Sequence, residues 1–295
     1  MIRKVKVENG WVRGLRAADP RITSYKGIPF AAPPVGENRW RAPQPCQDWE
    51  GDLFAADFGP IAMQANCAGD PMKDIYAREW AVDAELPMSE DCLYLNVWAP
   101  ADGRKNLPVY VWYFGGGLQV GNTTEMEFDG ERIARRGVGV VTVGYRLNCF
   151  GFLCHPEITA ENPDAPANFG FLDQQCATRW VKRNIAAFGG DPENITIMGQ
   201  SAGAMSVQQH SLSPLSEGLF QRAVMCSGGG VNRILTATPA EKHYEYWQTA
   251  MKYAGCETLE DFRAVAPEKL FEAWDRTKKE FHNPGCFPCI DGRLV

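Results

Sequence analysis

The stretch 195–203 constrains this chain more than any other. Ile195-Thr196-Ile197-Met198 is a short run rich in β-branched residues. It passes without a break into Gly199-Gln200-Ser201-Ala202-Gly203, and residues 203–212 then follow a helical pattern. A backbone that must turn from strand to helix within so few residues is held in a strained conformation. Glycines on either side are needed there because side chains would strike the neighbouring strand and helix. G-x-S-x-G alone is a weak pattern; the strand before it and the helix after it supply the context that gives it meaning. Together they predict a parallel α/β sheet with the Ser201 hydroxyl projecting above the sheet edge.

The rest of the chain agrees with such a sheet. Residues 109–114 (VYVWYF) are β-branched and aromatic and stop at Gly115-Gly116-Gly117, residues 137–144 (GVGVVTVG) read as a strand buried on both faces, and residues 223–227 read as the next parallel strand. Between them, residues 173–188 have apolar positions at helical spacing, with Asp173 and Gln174 placed for a first turn and Gly189-Gly190-Asp191-Pro192 as a stop. The first hundred residues, rich in proline and aromatics, read as short antiparallel strands and loops laid onto the sheet. Short apolar runs alternating with helical patterns favour this α/β class over a bundle or a sandwich.

Composition narrows the partners. The chain is 45% hydrophobic and 22% charged, as expected of a protein with a real core. Its net charge of −6, with Lys and Arg scattered, argues against nucleic acid. No apolar run approaches the roughly 20 residues of a membrane helix, so no membrane partner is expected. The opening MIRKVKVENGWVRG has no apolar stretch or small-residue cleavage site, which predicts a cytoplasmic chain, though a processed secreted form would read the same. Ten cysteines in a chain long enough to build its own core read as buried free thiols rather than a disulfide framework. Cys286 and Cys289 form a CxxC near His282, but no matching second pair exists, so no metal is expected. No cofactor is expected either.

The chemistry of the pattern is that of acyl transfer. Negative charge builds on a carbonyl oxygen under attack, and each backbone N–H aimed at it is worth roughly 3 kcal/mol. Only glycine lets the backbone approach a substrate that closely. The run Gly115-Gly116-Gly117 would be an ordinary flexible turn if it stood alone. Paired with a serine elbow downstream, it reads as an oxyanion-binding loop, with the Ala202 N–H as a further donor.

These residues resemble the type-B carboxylesterase and cholinesterase family. Phe188-Gly189-Gly190, then Ile195 to Gly203, is similar to the family's nucleophile signature, and Glu90-Asp91-Cys92-Leu93-Tyr94-Leu95-Asn96-Val97-Trp98-Ala99-Pro100 resembles its second signature. Lys26-Gly27-Ile28-Pro29-Phe30-Ala31, Pro33-Pro34-Val35-Gly36, Tyr145-Arg146-Leu147 and Phe150-Gly151-Phe152-Leu153 match as well. The likeness runs from about residue 10 to the terminus. It implies an α/β-hydrolase fold with a mostly parallel central sheet, helices on both faces and short antiparallel strands in front. It also implies Ser201 as nucleophile and Gly116, Gly117 and Ala202 as oxyanion donors. Ser227 matches a family serine that lies behind the nucleophile and binds the catalytic acid. Arg39 with Glu90, and Arg146 with Asp173, resemble structural ion pairs of the family, and Cys67 with Cys92 resembles a disulfide of secreted relatives. Phe114 departs from the histidine that many relatives carry before the glycines; others carry an aromatic there.

A serine hydroxyl needs a base, and in this fold the order is Ser, then Asp or Glu, then His. Of the four histidines, His155 precedes the serine, His210 lies near the helix after it, and His243 falls in a polar helical stretch. By order alone His282 could serve, with an acid among Glu260, Asp261, Glu268 and Glu272. The resemblance instead puts acid and base in a further C-terminal segment. The expectation is therefore one α/β-hydrolase domain over residues 1–295, truncated at its C-terminus, from a carboxylic ester hydrolase that is inactive as this fragment. The alternatives are a non-catalytic binding or adhesion protein of the same family and an inert esterase remnant. The expected substrate is a small uncharged carboxylic ester. The acidic stretch from Asp70 to Asp91, with Trp80, offers a cation-binding alternative to a plain solvated loop. Oligomeric state is left open by the sequence.

Overall fold

The computed structural model describes residues 3–65, 86–230, 237–282 and 288–295. The Cys67 side of the disulfide expectation, Cys286 and Trp80 therefore lie outside the described residues. In chain order the strands are β1 (Lys4–Val7), β2 (Gly10–Arg16), β3 (Ile22–Pro29), β4 (Asp52–Ala55), β5 (Ile61–Ala62), β6 (Met88–Ser89) and β7 (Tyr94–Pro100). They continue with β8 (Leu107–Tyr113), β9 (Gly139–Val143), β10 (Gly190–Gln200), β11 (Arg222–Cys226), β12 (Thr238–Pro239) and β13 (Cys289–Ile290). The main sheet has the order β1-β2-β3-β7-β9-β8-β10-β11, with β4 added beside β2.

This sheet is mixed. The segment β9-β8-β10-β11 is parallel, while β1, β2, β3, β7 and β9 join one another antiparallel. The N-terminal strands thus extend the sheet itself rather than lying on top of it. The period-2 alternation of strands separates its two faces. Val97 and Val141, paired in register, belong to the main core, whereas their neighbours Trp98 and Val140 join Ile22 and Ala134 in a second cluster on the opposite face. A helix at Glu131–Ala134 covers the second face, and the helix Phe169–Asn184 brings Trp180 and Val181 to the first.

That second helix starts four residues before the expected position. Asn168, in a left-handed conformation (φ 57°), turns the chain, and Phe169 and Phe171 are already buried in the first turn. Asp173 is accordingly not a first-turn acid. It is fully buried and holds Arg146 through Nε–Oδ2 and Nη2–Oδ1 contacts of 2.8 and 2.7 Å, and it also accepts the Arg146 amide at 3.0 Å. Strand β10 is longer than the four residues expected, because Gly190 already pairs with Leu107 before a bulge that ends at Ile195.

Arg39 forms the second ion pair. Its Nε and Nη2 grip Glu90 at 2.7 and 2.5 Å, while Nη1 donates to the carbonyls of Arg263 and Val265 at 2.8 and 2.6 Å. Both pairs are buried and hydrogen-bonded on several sides, the condition under which such pairs survive desolvation. No helix among the described residues is long and apolar enough to cross a membrane.

Candidate active site

Strand β10 ends at Gln200, and Ser201 follows with φ 55° and ψ −120°. No side chain other than glycine adopts that conformation without strain, which costs of order 1–3 kcal/mol. The turn is held from both sides. The Ser201 amide donates to the Cys226 carbonyl of β11 at 2.9 Å, and the Ser201 carbonyl accepts from Met205 in the helix Ala202–Leu212 at 3.1 Å. The two glycines of the motif have distinct neighbours. A Cβ on Gly203 would lie 2.1 Å from the Tyr113 carbonyl oxygen, and one on Gly199 would lie 2.3 Å from the Gly203 backbone. Helix and strand are thus packed too closely for any side chain at either position.

The loop after β8 meets the serine directly. A Cβ placed on Gly115 would stand 3.2 Å from the Ser201 Cβ. Gly116 (φ 105°), Gly117 (φ 64°), Leu118 (φ 62°) and Gly121 (φ 111°) all have left-handed backbones, so the loop curls away from the strand direction. Among the described residues none accepts a hydrogen bond from the amides of Gly116, Gly117 or Ala202. Phe114 stacks on Tyr145 with ring centroids 4.2 Å apart, and the Tyr145 hydroxyl donates to the Phe114 carbonyl at 2.7 Å. An aromatic at position 114 therefore fixes the start of the loop by stacking.

Ser227 also has a left-handed backbone (φ 54°) and is exposed at the end of β11, and a Cβ on its neighbour Gly228 would lie 2.5 Å from the Ser201 carbonyl oxygen. The segment Ser227–Gly228 therefore packs directly against the Ser201 turn.

None of the four histidines hydrogen-bonds Ser201. His155 caps the helix Pro156–Glu161, its Nδ1 accepting from the Glu157 amide at 3.3 Å. His210 is buried between Gln174 Oε1 at 3.0 Å and Ser216 Oγ at 3.2 Å. Burial, and after it the Arg179 charge, hold the His210 imidazole down at about 3, so it stays neutral. His243 lies 2.6 Å from Thr238 Oγ1, and burial lowers it. His282, the candidate by chain order, is exposed beside Asp275, Lys278 and Lys279. Of the acids that could have joined it, Asp261 is engaged in a capping box with Thr258, and Glu260 and Glu268 occupy first turns of helices. Cys92 is a buried free thiol. Among the described residues no group of His, Cys, Asp or Glu could hold a metal ion.

Three contributors were not visible in the sequence: Gly228, Gln64 and Asn148. Gln64 lies in a loop next to β5, yet its Nε2 donates to the Gly121 carbonyl at 3.1 Å and its Oε1 accepts from the Gly121 amide at 2.9 Å. Asn148 stands in the gap between the two matched motifs Tyr145-Arg146-Leu147 and Phe150-Gly151-Phe152-Leu153.

Glu125 closes the same loop. Burial pushes its carboxyl from near 4.5 up to about 7, against a weak opposing pull from the Asn122 amide that it accepts at 3.3 Å. A carboxyl raised on folding keeps its proton better in the folded state. The stability it supports is full below its unfolded value near 4.5 and is lost as pH rises through about 7. We expect Glu125→Gln, neutral at every pH, to be the more stable form at pH 8 by about 3 kcal/mol and equal to the parent at pH 4. Thermal melts of both proteins across this range check it, and a constant difference would show that Glu125 does not titrate there.

The carboxylesterase family matches residues 2–295. The chain is 39% identical over 284 residues to a cholinesterase of Mus musculus, covering 90% of this chain and 44% of the mouse protein. It is 43% identical over 226 residues to the para-nitrobenzyl esterase of Bacillus subtilis (strain 168), covering 76% of this chain and 43% of that protein. Among solved structures, a thermophilic PNB esterase superposes with a TM-score of 0.85 at 34% identity, over 99% of this chain and 58% of the other. The chain thus spans about half the length of the curated relatives it matches.

Proposed function

This chain belongs to the carboxylesterase family, and we propose that it carries the acylated serine and the oxyanion-binding amides of a carboxylic ester hydrolase. The observation that bears most weight is the strained turn at Ser201 beside amides of Gly116, Gly117 and Ala202 that have no acceptor among the described residues. In this reading the Ser201 hydroxyl attacks the ester carbonyl and loses its proton to a base. The three amides bind the resulting oxyanion, the alcohol leaves, and water releases the acid from the acyl-serine.

Acid and base are supplied from outside these 295 residues, since His155, His210 and His243 are engaged elsewhere and His282 lies on another surface. Ser227 is the contact for the acid. The proposed substrate is a small uncharged carboxylic ester. The reading is tested on a polypeptide that continues past Val295. It should hydrolyse p-nitrophenyl acetate and take one equivalent of a serine-reactive phosphonate at Ser201. Hydrolysis with the label on another residue would overturn it.

The two glycines should respond unequally. A Cβ on Gly116 would lie 2.1 Å from the Val120 carbonyl oxygen, whereas one on Gly117 meets nothing within 4 Å. Gly116→Ala must therefore move the loop, and kcat should fall by about 10² to 10³. Gly117→Ala carries only the left-handed strain of roughly 1–2 kcal/mol, and its kcat should fall less. Equal effects, or effects on KM alone, would show that the loop does not bind the oxyanion.

A further inference from the structure

We infer that Asn148 is a positioning residue for the oxyanion loop, orienting the Gly117 amide through two intervening peptide planes. This rests on the ester-hydrolase reading above. Asn148 is buried and holds a left-handed backbone with φ 47° at the start of the helix Asn148–Gly151. Its amide donates to the Leu118 carbonyl at 2.7 Å, and its Nδ2 donates to the Gln119 carbonyl at 3.1 Å and to the Met63 carbonyl at 2.8 Å. One residue thereby fixes two consecutive carbonyls of the loop and ties them to the segment that carries Gln64.

Peptide planarity carries this grip forward. The Leu118 carbonyl shares a plane with the Gln119 amide, and the Gln119 carbonyl shares one with the Val120 amide. Those two amides both donate to the Gly116 carbonyl, at 3.0 and 3.1 Å. The Gly116 carbonyl in turn shares a plane with the Gly117 amide, a donor with no acceptor among the described residues. Holding the oxygens of residues 118 and 119 thus sets the direction of the N–H of residue 117. Gln64 pins the far end by bonding both the amide and the carbonyl of Gly121. A loop with left-handed residues at 116, 117, 118 and 121 has no strand or helix ladder of its own. Side-chain amides take that role.

Asn148→Gly provides one test, because glycine accepts the left-handed backbone and keeps the amide bond to Leu118 while losing both side-chain donations, together with the Oδ1 that accepts from the Phe150 amide at 3.4 Å. Asn148→Asp keeps size and tolerance of the left-handed region but removes the donor. Hydrogen exchange read by mass spectrometry on peptides spanning 115–122 should quicken at least tenfold in both variants, beyond any change in peptides elsewhere in the chain. In the extended polypeptide, kcat for p-nitrophenyl acetate should fall about tenfold in both, with KM within about twofold. Unchanged exchange, or quickened exchange with unchanged kcat, would overturn the assignment. Absence of turnover in the parent would defeat the ester-hydrolase reading instead, while the exchange measurement would still decide whether Asn148 orders the loop.

Discussion

Replacing Ser201 by alanine in a polypeptide that turns over an ester should lower kcat on the order of 10⁵-fold or more, with the fold intact. The size follows from what the hydroxyl does. Removing the nucleophile of a serine hydrolase removes the covalent route altogether and leaves only the contribution of the oxyanion amides and binding. The retention of fold follows from the geometry. Ser201 has φ 55° and ψ −120°, and alanine has the same Cβ as serine, so the strain is neither relieved nor increased. Glycine at the same position would behave differently. It accepts that backbone freely, so Ser201→Gly should be as inactive as Ser201→Ala while its stability rises by about 1 kcal/mol or more. Loss of activity with gain in stability marks strain retained for function. Urea titrations and p-nitrophenyl acetate assays of the three proteins measure both. Substantial turnover in Ser201→Ala would end the nucleophile assignment, and a Ser201→Gly variant less stable than the parent would end the argument from strain.

The strained turn at Ser201 was legible because its sterics fix which residues can form it. Gly199 and Gly203 are required by a strand and helix in near contact, and a pattern with such a local cause shows itself in a local stretch of sequence. The central strands were legible for a related reason. Strand β9 is buried at every position, which reads as an unbroken apolar run, and β8 is buried over its last three residues. The start of the helix Phe169–Asn184 was misplaced because its real turn residue is a left-handed asparagine, while Asp173, four residues on, has the chemistry of a first-turn acid. Its true role, gripping Arg146 at 2.7 and 2.8 Å, is a contact over 27 positions that leaves no periodicity. Gln64 and Asn148 were invisible for the same physical reason. They act by donating side-chain amide hydrogens to distant carbonyls, and nothing in the neighbouring residues encodes the partner. The resemblance located Arg39–Glu90 and Arg146–Asp173, which residue patterns alone could not have paired.

The polypeptide of residues 1–295 taken by itself should be neither a catalyst nor a well-behaved monomer, and the two failures have different causes. Catalysis should fail for want of a base. Each of the four histidines is placed, and none meets Ser201: three sit in hydrogen bonds elsewhere, and His282 stands exposed beside Asp275, Lys278 and Lys279. His210, the one on the helix that leaves the nucleophile turn, is moreover held neutral in a buried network with Gln174 and Ser216. On the proposed reading what remains is oxyanion binding by the loop amides, on the order of 10³-fold over water, well short of ordinary enzyme turnover. Solubility should suffer from the sheet edge. Among the described residues strand β11 pairs only with β10, and Arg222–Met225 are exposed, with Val224 at 39% and Met225 at 42%. Leu212, at the end of the helix that follows Ser201, is 71% exposed as well. An unpaired parallel strand with apolar side chains is a template for another chain. Light scattering should therefore report dimers or larger species whose fraction rises with concentration. Val224→Lys together with Met225→Glu should return the mass toward a monomer without restoring turnover. A soluble monomer of the parent sequence that hydrolyses p-nitrophenyl acetate above about 1 s⁻¹ would contradict both halves at once. It would mean that an acid and a base lie within these residues, and His282 with Glu272 would be the first pair to replace.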